Sequence, residues 1–186
     1  IEAVLHVSDP VGQGLRALDV EIVSTGGTAG ALREAGLRVT DVADVTGVPE
    51  VLEGRVKTLH PAIHAGILAR RSRTDDMAAL DDHGYTPIDL VVGNLYPFAE
   101  AVADPETDLG TAMEYVDIGG PTMLRAAAKN HFDVGVVTDP AQYDAVADEL
   151  HENDAHLSAP TRRSLAEAAF AHTAASPNSS ASSSKY

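Results

Sequence analysis

The sequence has no cysteine and no tryptophan, and lysine occurs only at positions 57, 129 and 185. Without cysteine there is no disulfide framework, no thiol nucleophile and no cysteine-bound zinc, although the redox compartment stays open. Positive charge is scarce as a whole: 13 basic residues face 28 acidic ones, for a formal net charge of −15. Such a field repels a polyanion, which argues against nucleic acid as a partner. Long apolar runs are also missing. No window nears the roughly 18 to 20 apolar residues of a membrane span, and no basic stretch followed by an apolar one opens the chain. These absences predict a cytoplasmic protein with no membrane partner, whose chemistry rests on groups other than thiols.

The chain does have enough apolar material, 44% of 186 residues, to bury one core, and it is too short for two domains of ordinary size. Aspartates such as Asp75, Asp76, Asp81 and Asp82, together with the shortage of lysine, fit a halophilic surface kept soluble in high salt. An ordinary acidic protein from a GC-rich genome carries the same signature. On either reading, a pocket for an anion must be locally positive inside a globally negative protein.

Short β-branched runs at Ala3–Val7, Val20–Ser24, Asp89–Leu95 and Val134–Thr138 are each followed by small or turn-forming residues, as in buried parallel strands. Helical stretches alternate with them: 28–35 ended by Gly36, 75–83 ended by Gly84, then 121–129, 141–150 and 159–172. This alternation predicts a single Rossmann-like α/β domain of three layers, with a mostly parallel sheet, over residues 1–175. From Ser176 the sequence SPNSSASSSKY is too polar and serine-rich to join a core, and reads as a disordered tail or linker over 176–186.

In open α/β sheets ligands bind beyond the carboxyl ends of the strands. Ser24-Thr25-Gly26-Gly27-Thr28 follows a strand and opens a helix, where free N–H groups can cradle a phosphate; two glycines also simply make a tight turn. The segment Gly54 to His64, GRVKTLHPAIH, gathers two cations, a hydroxyl and two imidazoles. If it is extended, Arg55 and Lys57 project to one side. His60 and His64 lack an intervening glutamate and an obvious third ligand, so packing is favoured over a metal site. Asp117-Ile118-Gly119-Gly120-Pro121 is a second glycine turn opening a helix, and Lys129 lies on that helix. A carboxylate before the turn and an ammonium on the helix can converge on one small ligand, or form a surface ion pair.

The motifs VSD, STGGTA, GRVKTLHP, NLYPF and DIGGPTMLRAAAKNH, in that order, resemble the inosine monophosphate cyclohydrolase domain, over roughly residues 3 to 175. That domain is the N-terminal half of a bifunctional purine biosynthesis enzyme whose other half is the AICAR transformylase, and its fold is similar to that of methylglyoxal synthase. The resemblance implies phosphate contacts at Ser8, Thr25, Gly27, Thr28, Arg55 and Thr58, with Lys57 beside them. It implies base and carboxamide contacts at Asn94, Tyr96, Asp117, Ile118 and Gly119, and chemistry by Lys57, Tyr96, Asp117 and Lys129. The ligand implied is a purine nucleotide monophosphate, closed to inosine monophosphate by loss of water, with neither cofactor nor metal. A homodimer, and a transformylase as functional partner encoded outside these residues, are further implications.

Two departures bear on the phosphate. The family's VSD continues with Lys-Thr-Gly, where this chain has Pro10-Val11-Gly12, and the interval from Asp9 to Ser24 is about a turn or two of helix short of the family's. The alternatives are a methylglyoxal synthase on the same fold, which has no use for NLYPF or the DIGGPTMLRAAAKNH helix, and a non-catalytic nucleotide-binding module.

Overall fold

The computed structural model describes residues 20–95, 107–114 and 116–175. The expected strand at Ala3–Val7, the expected ligand contacts Ser8 and Tyr96, the Pro10 departure and the 176–186 segment lie outside the described residues.

Strand β1 (Ile22–Ser24) leads into helix α1 (Gly26–Glu34), followed by β2 (Val39–Asp41) and the short helix α2 (Val42–Thr46). A 3-10 turn at Leu52–Gly54 precedes α3 (Pro61–Leu68) and α4 (Thr74–His83). Next come β3 (Leu90–Val92), α5 (Leu109–Glu114), α6 (Gly119–Lys129) and β4 (Gly135–Val137). A 3-10 turn at Pro140–Gln142, α7 (Tyr143–Glu152) and α8 (Ala159–Ala175) complete the order. Glycine stops the helices where the sequence indicates: Gly84 takes φ +66 after α4, and the Tyr85 N–H reaches back to the Leu80 carbonyl at 2.9 Å.

The described strands pair in parallel, β1 with β2 (Ile22 opposite Val39) and β3 with β4 (Leu90 opposite Gly135), so the chain is an α/β domain of Rossmann-like build. One apolar cluster joins Ile22, Leu32 and Val42 to Ile63, Ile67, Val91, Met123, Leu124, Val136 and Ala169. Burying each large aliphatic side chain contributes about 1.5–3 kcal/mol. Helix α6 is the hub, packing against α3, α8, β3 and β4.

Backbone contacts fix the hub. At Gly66 of α3 an added Cβ would stand 2.5 Å from the Thr86 carbonyl oxygen, and the Ile88 N–H donates to the Gly66 carbonyl at 3.0 Å. The buried Asn130 amide, at the end of α6, donates to the carbonyls of Ile67 and Ala69 at 2.9 and 3.0 Å. Arg162 of α8 donates to the carbonyls of His131 and Phe132, at 3.0 and 2.8 Å, satisfying the turn after α6. Among the described residues, no helix is long and apolar enough to cross a membrane.

Candidate active site

Strand β1 delivers two buried hydroxyls, Ser24 and Thr25, to the start of α1. Gly26 takes φ +59, which lets the chain turn straight from strand into helix. Thr25 sits at the cap with an extended backbone but makes no side-chain cap bond, and the first turn of α1 holds no acidic residue. The first N–H groups and the positive end of the helix dipole therefore stay open at Gly26, Gly27 and Thr28. Among the described residues, the Ser24 hydroxyl oxygen is buried with no hydrogen-bond partner.

The next segment is not extended. N–H groups of Gly54, Arg55, Lys57 and Leu59 donate to carbonyls three residues back, and Leu52, Glu53 and Gly54 carry φ of 51, 54 and 84°. This coil separates the two cations that an extended strand would have aligned. The Lys57 ammonium lies over two glycines, 3.4 Å from where a Cβ on Gly26 would stand and 3.0 Å from the equivalent point at Gly54. Its counter-charge is Glu50, 3.7 Å away. Arg55 turns outward instead, exposed and paired with Glu114 of α5. The buried Thr58 faces the other way from its neighbour: its Oγ1 is 2.5 Å from where a Cβ on Gly119 would lie.

The second glycine turn is closed by its own acid. Asp117 Oδ1 accepts the Gly120 N–H at 3.0 Å, while Oδ2 is 2.2 Å from the point a Gly120 Cβ would occupy. Leu95 Cδ2, one residue beyond the half-buried Asn94 at the end of β3, is 3.0 Å from that same point. Ile118 is exposed beside Asp117. Lys129 stands apart, exposed in the last turn of α6. Ten residues of unbroken helix put it about 15 Å beyond Gly119, more than a lysine side chain spans. A ligand shared by Lys129 and Asp117 would therefore have to span the rest of that distance together with the lysine side chain.

Both imidazoles have local employment. His60 caps α3, its Nδ1 accepting the Ala62 N–H at 3.1 Å, and Pro61 opens the helix. Burial pushes the His64 pKa below its ordinary value, against a hydrogen bond with the Thr58 backbone that acts the other way. Sequence reasoning missed Glu50, Glu114 and the role of His64. The first two meet their cations only once the left-handed run at 52–54 has folded; His64 was readable as a histidine four residues after a helix cap.

A family model described as MGS-like domain matches residues 9–122, more than half of the chain, and one described as AICARFT/IMPCHase bienzyme matches residues 127–181. A solved structure titled "Crystal structure of ForH" is similar at 38% identity and a TM-score of 0.83, over 95% of this chain and 92% of that one. The chain belongs to the MGS-like domain family and is a domain of the inosine monophosphate cyclohydrolase type. Its relationship is thus with enzymes of purine biosynthesis.

Proposed function

We propose that the chain is an inosine monophosphate cyclohydrolase, closing 5-formamidoimidazole-4-carboxamide ribonucleotide with loss of water. The observation that carries this reading is that consecutive residues serve the two helix starts: Lys57 lies over Gly26 of the first, and Thr58 against Gly119 of the second. A ribonucleotide is the kind of ligand that needs both. Its phosphate belongs at α1, where N–H groups are open and Lys57 supplies charge; its base belongs beside Asn94 and Asp117.

In the reaction the carboxamide nitrogen attacks the formyl carbon on the neighbouring amine, and the carbonyl oxygen leaves as water. Both groups sit on one imidazole ring, so holding the reactive rotamer removes much of the entropic barrier. Asp117 orients or accepts the amide proton, and, with Lys57 held at the phosphate, Lys129 is the lysine left to stabilise charge on the formyl oxygen. Support from outside the site comes from the bienzyme match over residues 127–181. The test is the conversion of formylated substrate by purified protein, followed by ultraviolet absorbance. Release of inorganic phosphate from dihydroxyacetone phosphate, with no ring closure, would replace this reading by methylglyoxal synthase.

A further inference from the structure

The Lys57 ammonium sits beside the positive end of α1, where two positive charges repel unless something negative is near. Among the described residues that negative charge is Glu50, whose Oε2 is 3.7 Å from Nζ. The contact is built by the backbone. Two non-glycine residues, Leu52 and Glu53, take left-handed conformations ahead of Gly54, which side chains with a Cβ seldom adopt. The turn they make folds Glu50 back over Lys57. At Gly54 a Cβ would stand 3.0 Å from Glu50 Oε1, 3.0 Å from Lys57 Nζ and 3.1 Å from Lys57 Cε, so the glycine leaves room for both partners. Gly26 leaves the corresponding room on the other side of the ammonium.

We propose that Glu50 is a positioning residue, a resident counter-charge that parks the Lys57 ammonium between Gly26 and Gly54 and yields it to an incoming phosphate. The inference rests on the reading of the α1 start as the substrate's phosphate site. Glu50 is half-exposed and reaches the ammonium from the loop side, so it is displaced without unfolding any element. A single contact at 3.7 Å from a half-exposed carboxylate is weak, which suits a partner that must let go.

Inorganic phosphate is the probe, titrated by calorimetry into wild type, Glu50→Gln, Lys57→Ala and the double variant, each checked by circular dichroism. Glu50→Gln should bind phosphate about three- to tenfold more tightly than wild type, since the anion no longer competes for Lys57. In the Lys57→Ala background the same change should alter affinity by less than about twofold. Equal gains in both backgrounds, no gain, or no measurable phosphate binding to wild type would each overturn the proposal. The turnover assay separates the two readings: wild type that binds phosphate and shows the Lys57-dependent gain, but closes no ring, leaves Glu50's role standing and removes the cyclohydrolase.

Discussion

The two helix starts at Gly26-Gly27 and Gly119-Gly120 look alike in sequence and differ in every physical respect that decides function. At α1 the glycine solves a backbone problem, φ +59 at Gly26, and Thr25 makes no side-chain cap bond to the helix end. At α6 the glycines solve a crowding problem: Thr58, Asp117 and Leu95 press against them, and Asp117 already accepts a backbone N–H. One end presents a positive helix start beside an ammonium, suited to hold an anion; the other is crowded and presents a carboxylate. What a pair of glycines does is set by the side chains brought to it from elsewhere, here residues 57 and 58.

The sharpest way to break the comparison is to remove the chemistry from one end and the charge from the other. Asp117→Asn keeps an oxygen for the Gly120 N–H and loses the carboxylate, so ring closure should fall about 10²- to 10⁴-fold with little change in thermal midpoint. Lys57→Ala should weaken phosphate and raise KM by about 10-fold or more, whereas Asp117→Asn should leave phosphate affinity alone. Equal phosphate affinity in wild type and Lys57→Ala would sink the division of labour.

Smaller effects probe the glycines themselves. Gly120→Ala forces a methyl into the space of Asp117 Oδ2 and Leu95, and should destabilise the domain by about 1–3 kcal/mol in urea unfolding. Gly27→Ala meets nothing within 4 Å among the described residues, and should leave stability unchanged or raise it by about 0.5–1 kcal/mol. A similar loss in both would mean that the two starts are crowded alike. The least effect should come from His64, behind Thr58. Burial depresses its folded pKa, so the unfolded chain binds the proton first as pH falls below about 6.5. Stability should therefore decline from that pH downward, through the lower folded value, and His64→Gln should flatten the decline in urea midpoints measured between pH 7.5 and 5.5.

The sequence made the long elements legible. Expected helices at 28–35, 75–83 and 159–172 correspond to α1, α4 and α8, with ends displaced by a few residues, and strands at 89–95 and 134–138 are longer in expectation than β3 and β4. Val39–Asp41 and Val42–Thr46 escaped because a strand of three residues runs straight into a helix of five, and neither is long enough to show a period. Helix α3 escaped for the opposite reason. Ala62, Ile63, Gly66 and Ile67 are all buried, so PAIHAGIL has no polar stripe to betray its turn. At the site, the scarcity of lysine pointed to Lys57, whereas the left-handed residues that part it from Arg55 carry no compositional mark in Leu52 and Glu53.

Lys57 and Thr58 share one peptide unit, and such a unit is planar and stiff, holding its Cα atoms about 3.8 Å apart. With the ammonium resting on one helix start and the hydroxyl on the other, that single bond works as a caliper. The two side chains therefore leave the backbone at a fixed spacing, and the flexible four-carbon lysine stem is the part that adjusts to what α1 holds, while the buried Thr58 stays against Gly119 as the stationary jaw.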